Sequence, residues 1–536
     1  MPLSKLKFRP GINRDRTDLS QMGGWYDGNL IRFRDGYPEK IGGWQAATIT
    51  PYVGEAVKLY VYSIDTGAQI AGLGTTKKIY IRVGTLLYDI TPIRVTYTTS
   101  TTPSTDNCFT TNTTAGTEGQ VLVTLAGNGA TTGDYVTFSG AATTRGITAA
   151  QLNLEFEVTV IDANTFTIET AGTATSAGTG GGTGITAAFQ INIGVDTSVG
   201  GYGWGAGTWA RGTWGSGTTT PVVTNLRLIF MDNFNNDLIF NLNDGGVIYY
   251  WDYSAGYSVR AVTLSSLTGA IAVPGAVEKT LFSPSGHLLA LGASAYSETS
   301  TAGATINSIT SSSTTATVTT ATPHGLATND WVYLSGQTTV MYSGTYQITV
   351  TATTTFTYTL LASTTSPAAT PGAYQAISYT GGAFDPMLIR WADVNADIGP
   401  KPEVWKPELA NTAGFLFVKE GSKIITGANV RQETLIWTDT SLSALQFLGT
   451  AEAFALQLLS SDTNIMGANA YASVNNNMYW MGTDNFFIYD GRVNVLKCPL
   501  LRYVFEDINR EQAQLVYGGT NKEFNEVIWF YCSGGA

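Results

Sequence analysis

Apolar and polar residues alternate along most of the chain at the period of two that marks a half-buried β-strand. Early on, the segments 56–62, 78–83 and 86–90 mix β-branched and aromatic side chains, and Gly84-Thr85 makes a two-residue hairpin signal. The texture returns at 226–230, 238–241 and 247–251, where Asp/Asn turns separate short strands. It continues at 288–293, 416–418, 434–437, 478–481, 486–489 and 527–531. Short strands joined by polar turns at regular spacing predict a sandwich, barrel or propeller, and the number of units favours a propeller. Helical spacing is confined to two places: a short helix is expected within 441–459 and another within 500–514.

Two phrases occur twice. Gly133-Asp134-Tyr135-Val136-Thr137-Phe138-Ser139-Gly140 is matched by Asn329-Asp330-Trp331-Val332-Tyr333-Leu334-Ser335-Gly336. Phe156-Glu157-Val158-Thr159-Val160 with Thr165-Phe166-Thr167-Ile168 is matched by Tyr346-Gln347-Ile348-Thr349-Val350 with Thr355-Phe356-Thr357-Tyr358. The loop between the phrases is longer in the first copy. Such a repeat predicts a small all-β module inserted twice into a larger host. The expected fold is therefore all-β, a β-propeller-like host carrying two inserted small β modules. The N-terminal part of the core is expected at 1–93, module 1 at 94–190, the middle of the core at 191–298, module 2 at 299–378 and the rest of the core at 379–536. The strand at 527–531 reads as half a hairpin. Either an N-terminal strand closes the ring or the natural chain continues past residue 536, and the second is expected.

Composition sharpens these boundaries. No lysine occurs between Lys78 and Lys279, and from Thr299 to Phe384 the one charged residue is Asp330. Disorder is the competing reading of such Thr/Gly/Ala-rich stretches. The period-two runs Phe156-Val158-Val160 and Tyr346-Ile348-Val350 favour folded modules, flanked by flexible tethers such as 178–184. A net charge of −11 argues against gripping nucleic acid by its phosphates, yet suits a wall that nucleic acid slides past. Three cysteines, Cys108, Cys498 and Cys532, are too few for a disulfide scaffold. The first residues lack the apolar core of a signal peptide, and no apolar run is long enough to span a bilayer. The chain is expected to be made in the cytoplasm and to stay soluble or leave as part of something larger.

Candidate chemistry is sparse. His287 and His324 both fall in turns, and neither points to a Ser-His-Asp or Cys-His arrangement. Asp393, Asn395 and Asp397 begin like a calcium loop, but Ile398 stands where Gly is needed and Val404 where the bidentate Glu is needed. The run 232–237 is similar, and Asp and Asn are equally what β-turns take. The glycines 180–182 lack the Lys-Ser/Thr of a phosphate loop. Paired carboxylates for glycoside hydrolysis cannot be picked by spacing. No catalytic residue, metal or other cofactor is expected, and the chain reads as a non-enzyme.

The aromatic-glycine clusters are more specific. Trp25, Tyr26 and Trp44 flank a segment carrying Arg14, Arg16, Arg32 and Arg34, and a second cluster holds Trp204, Trp209 and Trp214. Trp over Gly in tight turns is one reading. The other is a docking surface, because Trp, Tyr and Arg supply most interface anchors and a basic segment in an acidic chain suits an acidic neighbour.

The run Phe8-Arg9-Pro10-Gly11-Ile12-Asn13-Arg14, followed by Gly24-Trp25-Tyr26-Asp27-Gly28, Ile31-Arg32-Phe33-Arg34 and Pro38-Glu39-Lys40-Ile41-Gly42-Gly43-Trp44, resembles the opening of phage tail nozzle proteins. These are the tail tubular, propeller-like proteins of short-tailed (podovirus-type) bacteriophages. Tyr202-Gly203-Trp204-Gly205, Asp385-Pro386-Met387-Leu388-Ile389-Arg390-Trp391, Thr434-Leu435-Ile436-Trp437-Thr438-Asp439 and Phe486-Phe487-Ile488-Tyr489-Asp490-Gly491 extend the resemblance, which leaves out both modules. It implies a homo-hexameric ring in the virion tail, below the portal and its adaptor ring, with tail fibres or a needle as further neighbours. DNA would cross the lumen without specific binding, and the protein would not itself enter a membrane. Competing readings are a receptor-binding tail protein or polysaccharide depolymerase, and a secreted propeller lectin.

Overall fold

The computed structural model describes residues 9–534 except 16, 18–22, 44, 47, 50, 100–107, 115, 193, 195–225, 244, 302–303, 361, 365, 369, 380–381, 395–401, 403, 409–410 and 451. The host is a succession of four-stranded antiparallel sheets, called blades here. Blade 1 is Ala56–Ser63, Gln69–Thr75, Ile79–Val83 and Leu86–Asp89, and blade 2 is Ile229–Phe234, Asp237–Leu242, Ile248–Trp251 and Val262–Thr263. Blade 3 is Val277–Phe282, Leu288–Ser294, Phe384–Trp391 and Gly414–Phe417. Blade 4 is Ile424–Val430, Glu433–Thr438, Leu442–Phe447 and Phe454–Ser460, and blade 5 is Tyr471–Val474, Asn477–Met481, Phe486–Tyr489 and Val493–Leu496. A half-blade, Tyr517–Asn521 with Glu526–Phe530, follows them.

Tight turns join many of the successive strands within the blades. Asn475 and Asn476 join two strands of blade 5 with φ of 51° and 60°, the left-handed pair that a right-twisted hairpin requires and that Asn tolerates. Neighbouring blades then bury their faces against one another. Ile70, Ile79 and Ile81 of blade 1 meet Met231, Leu238 and Phe240 of blade 2, and Trp437 of blade 4 packs on Trp480 of blade 5 with centroids 5.5 Å apart.

The first strands converge on a common centre. Lys279 of blade 3 donates to Thr426 Oγ1 (2.8 Å) and the Gly427 carbonyl (2.7 Å) of blade 4 and to Tyr471 Oη (3.0 Å) of blade 5. Its ammonium also lies 5.0 Å from the ring of Phe230 in blade 2. Lys58 of blade 1 sits 5.9 Å from the ring of Tyr517, which brings the half-blade round to the first blade. Ring-like succession and a shared axis make the host propeller-like.

Both modules project from this ring as paired β-sheets. Module 1 joins blade 1 to blade 2, whereas module 2 interrupts blade 3 between Leu288–Ser294 and Phe384–Trp391, which pair across the insertion. The two share a register: Tyr135 lies opposite Glu157 in one and Trp331 opposite Gln347 in the other. One long strand, Ala304–Ser312, serves both sheets of module 2, a part split in module 1 between Ile93–Thr98 and Phe109–Thr111.

Two expectations change. The segment 441–459 forms two strands of blade 4 and no helix, because its apolar residues pack against blade 3, with Leu445 and Phe454 in that core. The glycines at 178–184 are not a free tether: Gly178–Gly180 pairs with Phe109–Thr111, and a Cβ on Gly181 would lie 2.7 Å from the Phe109 ring. The helix expected within 500–514 is present as Leu501–Asp507, with a 3-10 turn Arg510–Leu515 after it.

Candidate functional site

The N-terminal segment forms a small hairpin, Ile31–Arg34 with Tyr37–Lys40, around an Asp35-Gly36 turn. Arg32 faces inward, whereas Arg34 is exposed. The Arg32 guanidinium lies 3.5 Å from the ring centroid of Phe524 and 3.4 Å from the Glu526 carboxylate, and Arg34 reaches the same ring at 5.9 Å. Arg14 pairs with Asp27 at 2.6 Å and stacks over Tyr503 at 4.2 Å and Tyr26 at 5.7 Å, while its N–H donates to the Pro499 carbonyl. The Gly28 N–H and Arg14 hold the Asp27 carboxyl below its usual range. Trp25 lies 6.2 Å from Phe33 within the segment. Arg14 and Arg32 thus fasten the N-terminal segment to the helix and half-blade at the other end of the chain.

What this clamp turns outward is apolar. Leu30 and Tyr37 are 68% and 62% exposed, with Tyr26 and Ile41 also exposed in the segment. Sequence reasoning picked out the Arg and Trp residues and passed over Leu30, Tyr37 and Ile41. The available signal was their alternation with Gly and Asp in a segment too short for a core of its own. Arg16, Trp44, Trp204, Trp209 and Trp214 lie outside the described residues.

The histidines and turn acids are built in differently. His287 is buried between Phe447 and Phe454, with ring centroids at 5.1 and 4.9 Å. Its Nδ1 is 2.9 Å from Ser285 Oγ and its Nε2 is 3.2 Å from Thr412 Oγ1. Thr412 in turn donates to Asp393 Oδ1 at 2.7 Å. Because the Thr412 proton goes to Asp393, its oxygen accepts from His287 Nε2–H, leaving Nδ1 to accept from Ser285. Burial pushes the His287 pKa down to about 4, against a smaller opposing pull from Asp393. His324 packs on Phe356 inside module 2 and touches the Ala352 carbonyl at 3.0 Å.

Asp393 is spent on Thr412, accepting from both its N–H and its hydroxyl. Asn395 and Asp397 lie outside the described residues. In the 232–237 turn, Asp232 accepts from Tyr60 Oη (2.7 Å) and the Phe282 N–H (2.7 Å), and Asp237 accepts from Tyr250 and the Tyr253 N–H. No group of three or more His, Cys, Asp or Glu that could hold a metal occurs among the described residues. At the centre of the host three neutral acceptors hold the Lys279 amine, and burial pushes its pKa down to about 7 against a smaller opposing pull from Asp232.

An ionic cluster joins module 1 to the host. Lys78 bonds the Glu155 carboxylate and, at 3.0 Å, Asp89, while Arg260 reaches Asp89 at 3.3 Å and Glu155 at 3.2 Å. Lys77 pairs with Glu157 at 2.7 Å. These six residues come from three separate stretches, 77–89, 155–157 and 260, and spacing alone could not assemble them. Among the described residues no helix is long and apolar enough to cross a membrane, and Cys108, Cys498 and Cys532 form no disulfide with one another.

No family model and no curated protein matches the chain. Among solved structures the chain is similar to the phage phi92 endosialidase at 11% identity and a TM-score of 0.17, covering 83% of this chain and 55% of that one. The chain thus spans about half the length of that structure. The expectation of a non-enzyme is corrected on this finding, since the matched protein is by name an endosialidase. The fold also places the buried His287 in one hydrogen-bonded row with Ser285, Thr412 and Asp393. At that TM-score the match itself assigns no activity to this chain.

Proposed function

We propose that this chain is a bacteriophage tail protein that assembles as the nozzle ring below the portal and its adaptor, forming a conduit for DNA ejection. The observation that carries the reading is the N-terminal hairpin. Arg14 and Arg32 are consumed in holding it against the helix and half-blade, so Leu30 and Tyr37 stand outward on a backbone that is already fixed. Preorganisation of this kind removes part of the ordering cost of association and suits a permanent contact between subunits. Scattered exposed apolar residues are ordinary, but several in one short pinned segment mark an interaction site. The resemblance of residues 8–44 to the opening of nozzle proteins supports the same reading, as does the net charge of −11. Six such subunits would line a channel with acid and keep phosphates from sticking.

The test is the mass of the purified protein in solution, with and without the adaptor ring of the same phage. A hexamer, or a monomer that becomes six-fold on the adaptor, is expected, and Leu30→Asp with Tyr37→Asp is expected to abolish it. A monomer or trimer indifferent to the adaptor would overturn the nozzle reading in favour of an adhesin or depolymerase.

A further inference from the structure

Two amines reach the axis of the host, and the structure treats them differently. Lys279 is satisfied, because Thr426 Oγ1, the Gly427 carbonyl and Tyr471 Oη all engage it. Lys58, on the first strand of blade 1, has nothing of the kind. Among the described residues its amine has no hydrogen-bond acceptor and no carboxylate within ion-pair reach, and it lies 5.9 Å from the centroid of the Tyr517 ring. The carboxylate that acts on it, Asp232, is spent on Tyr60 Oη (2.7 Å) and the Phe282 N–H (2.7 Å).

The ring leaves this amine a way out. Other neighbouring blades bury apolar side chains between them, but among the described residues no buried core joins blade 1 to the half-blade. Leu59 and Val61, close after Lys58 in its strand, are exposed, and so are Ile528 and Phe530 of the half-blade. Lys58 itself is partly buried, whereas Lys279 is fully so. The seam between blade 1 and the half-blade is an apolar-walled approach to one unengaged amine.

An amine taken partly out of water, with no acceptor for its hydrogens, holds its extra proton poorly. Burial pushes the Lys58 pKa down, against smaller pulls from Tyr471 and Asp232, and the nearby Lys279 adds to the fall. An amine without that proton has a free electron pair, and a second amine close by disfavours the return of the proton.

We propose that Lys58 is a nucleophilic amine that condenses with a small apolar aldehyde entering through this seam. The nitrogen adds to the carbonyl carbon, and one N–H proton passes to the carbonyl oxygen to give a carbinolamine. The hydroxyl then departs as water with the second N–H proton, leaving a C=N bond and no net oxidation or reduction. An anion would need a firmly held ammonium, and a cation would meet Lys279 and no free carboxylate. A neutral aldehyde suits both the apolar walls and the free amine. This inference stands apart from the ring assembly.

The full chain would be incubated near neutral pH with propionaldehyde and cyanoborohydride, and the alkylated lysines located by peptide mass spectrometry. Lys58 is expected to react about tenfold faster than the exposed Lys40 and Lys522, since each pKa unit changes the free-amine fraction about tenfold. Without the reductant the adduct should dialyse away, as an imine does. Lys58→Met keeps the reach of the side chain and removes the amine, so it should leave the melting temperature unchanged or higher and abolish the fast site. Alkylation of Lys58 no faster than that of Lys40 and Lys522 would overturn the proposal. So would a fast site that persists in Lys58→Met, or a Lys58 adduct that survives dialysis unreduced.

Discussion

Module 1 and module 2 turn the same edge toward the host. In module 1 that edge carries Glu155 and Glu157, and it meets Lys78, Arg260 and Lys77 in a set of ion pairs. In module 2 the counterparts are Thr345 and Gln347. Contact there includes the Gly269 N–H donating to Gln347 Oε1 at 2.9 Å, Trp331 Nε1 donating to the Ala270 carbonyl at 3.2 Å, and Trp331 and Ile377 packed against the host core. The repeat has kept its register and its core and changed its attachment. Core positions must satisfy packing inside the module, whereas edge positions answer to whatever the host offers. Blade 1 offers Lys77 and Lys78, and the loop before blade 3 offers backbone.

The difference is sharpest when each attachment is cut. Trp331→Ala removes the aromatic that fills the junction of module 2 and should cost about 2–4 kcal/mol there. Hydrogen exchange should quicken in Trp331–Ser335 and Ala373–Ser378 while module 1 stays protected, and added salt should not alter the effect. Equal loosening of both modules would break the comparison.

Glu155→Gln removes the carboxylate that Lys78 and Arg260 share, leaving both on Asp89. Lys78 is nearly buried whereas Glu155 and Arg260 are partly solvated, so the cost lies between an exposed and a buried pair, about 1–3 kcal/mol. Limited proteolysis should release module 1 first, and the difference between wild type and variant should shrink in high salt. A salt-independent difference would mean that packing holds module 1 too.

Proton concentration separates the modules as well. Burial raises the Asp89 pKa, but Arg260 and Lys78 outweigh it and hold the carboxyl below its usual range. Burial lowers the Lys78 pKa, but Asp89 and Glu155 outweigh it and hold it above the usual lysine value. A depressed carboxylate stabilises above its unfolded value of ~3.9 and loses that as pH falls through the lower folded value. A raised lysine stabilises below ~10.4 and loses that as pH rises through the higher folded value. Docking of module 1 should therefore be flat between these limits and weaken on both sides, while module 2 stays level. Exchange rates corrected for the intrinsic pH effect would show it, and parallel loss in both modules would refute it.

The repeat was legible in sequence because Asp-aromatic-Val and Thr-Phe-Thr sit on strands whose alternate residues must be buried. Val136, Phe138 and Phe166 in one copy and Val332, Leu334 and Phe356 in the other are all core. The strands of blades 1 and 2 were legible for the same reason. The 441–459 segment was misread because its apolar residues suit either period. Partnerships were out of reach. Glu155 reads as an ordinary strand-edge acid until the fold brings Lys78, Asp89 and Arg260 to it, and Arg32 reads as an outward anchor until Phe524 appears beneath it. Ser285 and His287 are two residues apart, but Thr412 and Asp393, which set the tautomer, come from the far side of module 2.

The smallest expected effect tests whether charge as such, or buried charge, distinguishes module 1. Lys77 and Glu157 pair at 2.7 Å, yet both side chains remain open to water. Water already solvates each partner, and two long side chains lose freedom to hold one geometry. Lys77→Ala should therefore cost about 0–1 kcal/mol and leave protease release of module 1 nearly unchanged. If Lys77→Ala loosens module 1 as much as Glu155→Gln does, the attachment depends on the summed field of the basic strand and not on the partly buried Glu155 hub, and the contrast with module 2 becomes one of total charge.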